Sequence, residues 1–227
     1  MTSRPTREPL SRPVVVAAAV ALADAEGLDA VSMRRLAERL GVVPMALYKH
    51  VADKDDLVDA MVDQLIAELD PPPPPSGRDG WLAAVRGTIR SARAAVLRHP
   101  WARRAIETRT RRTPAVLGHM ETLTQLFLAG GLSPDLTHHA MHLLGNRIWG
   151  FSPELFNAPV GPTSARSRRT PPPDPAHYPG ILAIAADATA RRPDATGCDE
   201  DFEFDFALDV ILTGVARLHA QGWDSTR

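Results

Sequence analysis

The stretch Ser32–Leu57, SMRRLAERLGVVPMALYKHVADKDDL, decides how the rest of the chain reads. Ser32 is an N-cap residue, and Leu36 and Leu40 follow at four-residue spacing. This predicts a short helix with one apolar edge and a basic face of Arg34, Arg35 and Arg39. Gly41 ends it, since glycine takes the left-handed conformation past a helix end without steric cost. The chain restarts at Val43, with Pro44 where an N1 proline belongs. From Val43 to Val51 the spacing of Val43, Leu47 and Val51 predicts one inward face, leaving Met45, Ala46, Tyr48, Lys49 and His50 to point elsewhere. That outward set suits the major groove of DNA. Pro44, Met45 and Ala46 can meet thymine methyls, while Tyr48, Lys49 and His50 can donate to phosphates or base edges. Asp53 then caps a further helix, Asp56 three residues on resembles a capping box, and Lys54 is free to reach the DNA backbone.

In residue type, order and spacing this segment resembles the DNA-binding domain of the TetR (tetracycline-repressor-like) family of bacterial regulators. The likeness is carried by Ser32, Arg34, Leu36, Ala37, Leu40, Gly41, Val42, Leu47, Tyr48, His50, Val51, Lys54 and Leu57. It implies that Arg34, Pro44, Met45 and Ala46 lie at base edges, and that Ser32, Tyr48, His50 and Lys54 lie at phosphates; Met33 and Lys49 complete the expected DNA-binding set.

Composition narrows the classes. At 227 residues and 44% hydrophobic content the chain can bury a sizeable core. A formal net charge of -1 excludes a generally basic coat, so DNA contact must come from local charge: Arg34, Arg35, Arg39 and Lys49 outnumber Glu38 between Ser32 and His50. Cys198 is the only cysteine, so no intrachain disulfide can form. The Ala/Val run from Val14 to Ala23 is cut short by Asp24 and Glu26, well below a membrane-spanning length. The expected compartment is the cytoplasm.

Around the central stretch the chain reads as all-α: a three-helix helix-turn-helix domain, then a larger helical domain for ligand binding and dimerisation. Residues 1–10 read as a flexible tail, and 11–57 as the DNA-binding domain, with Ser11 capping its first helix and Gly27 stopping it. Residues 58–75 read as the connection: the rest of a helix from Lys54 to about Leu69, apolar at Leu57, Val58, Met61, Val62, Leu65, Ile66 and Leu69, and a stiff proline linker from Pro71 to Pro75. Residues 76–227 hold the rest. Asp79 is the expected cap of a helix to about His99; shorter helices follow to Thr108 and from Pro114 to Ala129; another runs from Pro134 to about Trp149 or Phe156. Residues 159–175 read as a mobile loop, and Tyr178–Ala190 as a helix. In the last helix Phe204, Leu208, Ile211, Val215 and Leu218 form one apolar stripe, and Phe206, Val210 and Thr213 another.

Within the larger domain Trp101, Ile106, Met120, Leu123, Phe127 and Trp149, among polar Arg109, His119, His142 and Asn146, are the candidate lining of a small-molecule pocket, with simple core packing as the alternative for each aromatic. The last helix, FEFDFALDVILTGVARL, resembles that of the tetracycline repressors, where it and the His-rich earlier helix form a four-helix bundle across a two-fold axis. The implied dimer seam is Leu136, Ala140, Leu143, Phe206, Val210 and Gly214, and a dimer predicts a palindromic operator. The metal-chelating His of tetracycline repressors falls near Ile106 here, although Glu154 sits near the position of a family carboxylate involved with the metal; the missing His argues against a magnesium-tetracycline ligand. His138 and His142 share a helical face but lack a third ligand at a fitting spacing. No metal and no cofactor is expected.

The expected function is a ligand-responsive, DNA-binding transcriptional regulator, a repressor released from its operator by a small-molecule effector. The alternatives are an activator, or a helical binding module without repressor function. No phosphate loop, nucleophile elbow or activated Cys198 points to an enzyme. Neither the effector nor the operator sequence is legible.

Overall fold

Capping decides where the first helices begin. In the computed structural model, which describes residues 9–74, 80–109, 111–148, 176–191 and 199–226 with the side chains of 146–148 and 188 excepted, helix α1 (Arg12–Glu26) starts under the Ser11 hydroxyl, which accepts from Val14 N at 3.5 Å. Ser32 caps α2 (Met33–Leu40) in the same way, accepting from Arg35 N at 3.3 Å. Gly41 closes α2 with φ 62°, a left-handed turn that costs a side-chain-bearing residue strain.

The next helix is shorter than its sequence suggests. The expected Val43–Val51 helix is only α3 (Pro44–Leu47), after which Tyr48–His50 form a turn. Val43 is exposed at 68% rather than turned inward. The residue before a proline is pushed into extended backbone, here φ -77° and ψ 144°, so Val43 stands outside the helical face that Leu47 and Val51 do share. Asp53 caps α4 (Lys54–Ala67), accepting from Asp56 N at 2.8 Å. The remaining described helices are α5 (Gly80–Arg98), α6 (Ala102–Thr108), α7 (Pro114–Ala129), α8 (Pro134–Ile148), α9 (Pro179–Arg191) and α10 (Glu200–Ala220). Among the described residues there is no strand.

The chain divides into two units, Met1–Phe151 with Ile211–Arg227, and Ser152–Val210. In the first, one core runs from Val15 and Leu36 through Leu47, Leu57, Met61 and Leu65 to Trp101, Ala102 and Ala105, so α1, α2 and α3 share buried surface with α4 and α6. At Gly130 an added methyl would come 2.5 Å from Trp81 Cγ, a spacing only glycine permits; Trp81 itself packs against Phe127 with ring centroids 5.8 Å apart. The C-terminal segment is tied to α8, Ser225 N and Oγ donating to the Asp135 carboxylate at 2.7 and 2.9 Å.

In the second unit Tyr178, just before α9, and Ile181 and Ile184 on it are exposed, as are Phe202, Phe206 and Val210 in the first half of α10. Along α10 the buried residues are Phe204, Leu208, Leu212 and Val215, so Leu212 takes the inward place expected of Ile211, which is half-buried. The 3.6-residue period, carried four residues on from Leu208, selects that position. Asp79, Trp149, Phe151, Glu154, Cys198 and the expected loop 159–175 lie outside the described residues.

Candidate nucleic-acid interface and effector cavity

The exposed side chains of α2, α3 and the turn after it make one candidate surface. Arg34, Pro44, Met45, Tyr48, Lys49 and Lys54 are exposed, with Met45 at 71%, and Ser32, Ala46 and His50 are half-buried. Met45 lies beside exposed Val43 and Pro44, so this surface carries apolar as well as cationic side chains. Met33 is half-buried and packs against the core. Of the basic face, Arg35 turns to Glu26 of α1 at 2.6 Å, while Arg34 makes only a 3.5 Å pair with Glu38 on its own exposed helix surface. Lys49 and Lys54 make no ion pair among the described residues.

This surface is braced from behind. Arg12 of α1 donates through both terminal nitrogens to the Asp56 carboxylate at 2.8 Å, and through Nη1 to the carbonyl of His50 at 2.8 Å. Asp56 also accepts from Ala52 N, and the Arg12 hydrogen bond is the main reason its carboxyl is held down to about 2.

A second feature lies behind α4: a cavity of about 690 Å³ walled by α4, α6, the side chains of Arg109, Arg111, Arg112 and Thr113, α7 and α8. Six of the ten residues expected to line a pocket do so: Ile106, Arg109, His119, Met120, Leu123 and His142. Two do not. Trp101 is buried in the core, donating Nε1–H to Asp24 at 2.6 Å, and Phe127 is buried against Trp81. Both are aromatics whose burial, not ligand contact, explains their placement. The Asn146 side chain and Trp149 are outside the described residues. Sequence reasoning missed Asp59, Thr113 and Thr137, which also line the cavity. The signal for Asp59 was there, a carboxylate inside the apolar stripe of α4; Thr137 offered none.

Burial pushes the Asp59 carboxyl up against the opposing pull of Arg109 and Arg111, at 3.8 and 3.9 Å. Burial also pushes the His119 imidazole below its ordinary value, so it is neutral at pH 7. Arg109 Nη1 donates to Asp55 Oδ1 at 3.0 Å and lies 3.4 Å from the Asp55 carbonyl oxygen, tying the cavity wall to the first turn of α4. Thr113 bonds Asp63, also on α4. Ile106, with no lone pair to offer a metal, faces this cavity, and no cluster of three or more His, Cys, Asp or Glu side chains that could hold a metal ion occurs among the described residues. His138 and His142 stack edge-on with ring centroids 4.6 Å apart.

For the expected dimer seam the structure makes a correction. Leu136 and Ala140 are buried within the single chain, because their side of α8 faces its own core; Leu143, Phe206 and Val210 are exposed, and Gly214 has open space beside it.

An all-α chain with a capped helix-turn-helix bearing exposed cations, and a separate apolar cavity tied to the helix that follows it, defines a DNA-binding, ligand-responsive transcriptional regulator. Residues 15–61 match the family profile of bacterial regulatory proteins of the tetR family, and residues 73–218 that of the tetracyclin repressor-like C-terminal domain. The chain belongs to the TetR family. It is 32% identical to the HTH-type transcriptional repressor DrrR1 of Streptomyces coeruleorubidus, over 96% of this chain and 83% of that protein. It is 27% identical to the class G tetracycline repressor of Vibrio anguillarum, over 93% and 96% of the two chains. The fold resembles that of the Streptomyces coelicolor TetR family protein ActR in complex with actinorhodin (TM-score 0.75, 28% identity, 95% of this chain and 99% of that one).

Proposed function

We propose that the protein is a repressor that holds a palindromic operator as a homodimer and releases it when a small molecule fills the cavity behind α4. It is a regulator and not an enzyme, and it works in the cytoplasm; no described helix is long and apolar enough to cross a membrane. The observation that carries the reading is Arg109, which lines the cavity and donates to Asp55 in the first turn of α4, directly after the reading segment. A ligand that changes the position of Arg109 acts on α4, and α4 carries the reading head.

The DNA set is Ser32, Met33, Arg34, Pro44, Met45, Ala46, Tyr48, Lys49, His50 and Lys54. Apolar contact from Pro44, Met45 and Ala46 joins direct reading by Arg34, with phosphate contacts from the rest. Exposed Phe206 and Val210 on α10 support a second copy as partner, and the occurrence of ActR, a family relative, with a bound small molecule supports the effector. Residues 11–57 serve as the reading domain, 58–75 as the connection and 76–227 as the effector and dimer domain.

The test is retention of the DNA flanking the coding region, measured by fluorescence anisotropy against salt. Tyr48→Ala and Arg34→Ala should each weaken it, and unchanged retention in both would sink the reading-head assignment. Spin labels on the two heads should report a longer separation on ligand release of DNA; an unchanged distance would sink the mechanism.

A further inference from the structure

The cavity carries a chemical requirement of its own. Its walls are largely aliphatic, from Val62, Leu65, Ile66, Ile106 and Leu123, and its volume falls in the range of roughly 300–1,000 Å³ that takes a drug-sized molecule. Among the described side chains, two buried polar atoms lack a hydrogen-bond partner, Nε of Arg109 and Oγ1 of Thr137, and both residues line this cavity. Thr137 is 4% exposed. Folded proteins seldom leave such groups unmet, and a charged donor is the most costly to strand.

The geometry of Arg109 is selective. Its hydrogen bonds and ion pairs all run through Nη1, toward Asp55 and Asp59, which leaves the Nε edge of the guanidinium unused. That edge only donates, and its fork matches the two oxygens of a carboxylate. The charges facing the cavity are also out of balance: Arg109, Arg111 and Arg112 stand against one carboxylate, Asp59, with His119, His138 and His142 as the other titratable groups.

We infer that the cavity takes an amphipathic organic acid, an apolar body bearing one carboxylate or comparably acidic group, whose anion draws the enclosed Nε edge of Arg109 toward the cavity while the Thr137 hydroxyl turns to complete the polar contact. This rests on the reading of the cavity as the effector site. Arg109 thus serves as the acid's receptor and as the tie to α4, so that an anion on one edge competes with Asp55 on the other.

The experiment compares a matched pair of probes, 9-anthracenecarboxylate and 9-anthracenecarboxamide, by calorimetric titration of the full-length protein. The carboxylate should bind at least ~10-fold tighter, a difference of about 1.4 kcal/mol. Arg109→Gln should erase that preference and Thr137→Val should reduce it. Arg109→Lys, which keeps the charge but loses the fork, should fall between, with the melting temperature of each variant checking its fold. Equal or tighter binding of the amide by the unaltered protein overturns the acid assignment and leaves the effector site standing. Binding of neither probe overturns both.

Discussion

Arg12 and Asp56, forty-four positions apart, close a two-point ion pair with both nitrogens 2.8 Å from the carboxylate oxygens, and the same guanidinium holds the carbonyl of His50. The pair therefore fixes the end of the reading segment to α1. Arg12→Ala should lower stability by about 1 kcal/mol, since the pair is partly exposed, yet weaken DNA binding more than that. Urea unfolding beside anisotropy titration separates the two. Asp56, held down to about 2, contributes stability above its ordinary value of 3.8 and loses it as pH falls from there toward 2. Acid unfolding of Asp56→Asn should lack that component.

Phosphate contacts have a salt signature. Replacing Lys49 or Lys54 with Ala should reduce the slope of log affinity against log salt by about 1 while leaving unfolding curves in place. Arg34→Ala should instead relax sequence preference, read by competition with altered operators.

His99 joins three elements, with Nδ1 2.7 Å from Asp24 Oδ1 and Nε2 3.1 Å from Glu68 Oε2, while Trp101 donates to the same Asp24 oxygen. Burial alone would lower its pKa, but the hydrogen bonds to Asp24 and Glu68 outweigh burial and raise it above 6.5. A raised value means protonation favours the fold. This stability is present in full below pH 6.5 and is lost as pH rises through the folded-state value. Melting temperature should thus decline from about pH 6.5 upward, and His99→Gln should flatten the decline.

Phe127 and Gly130 should behave as core. Phe127→Ala should cost about 3–5 kcal/mol, and Gly130→Ala about 1–3 kcal/mol because Trp81 must shift. A Phe127→Ala protein that kept its melting temperature but lost ligand binding would return that residue to the cavity.

Thr137→Val removes an unpartnered buried hydroxyl, so the ligand-free protein should melt at the same temperature or slightly higher. Differential scanning calorimetry decides it. A loss above ~1 kcal/mol would mean the hydroxyl has a partner within the fold.

Local chemistry was enough for much of this protein. Ser11, Ser32 and Asp53 as caps, Gly27 and Gly41 as stops, and the four-residue spacing of Leu36 with Leu40 and Leu47 with Val51 set the reading head, because caps and periodicity act within a few residues of chain. The family likeness rests on that same stretch. What sequence could not settle was which aromatics are core and which face a void. Trp101 and Phe127 look like Met120 and Leu123 in a helical pattern, and only the packing of α5 on α7 and of α6 on α4 separates them. Asp59 and Arg109 are fifty positions apart, and their meeting at one cavity wall depends on tertiary contact alone. The same holds for the length of α3: the spacing of Val43, Leu47 and Val51 promised one face, but the extended backbone before Pro44 turned Val43 out. Sequence determined the helix-turn-helix of α2 and α3 and with it the family; the folded structure decided which side chains line the cavity, because a cavity is the space that packing leaves unfilled.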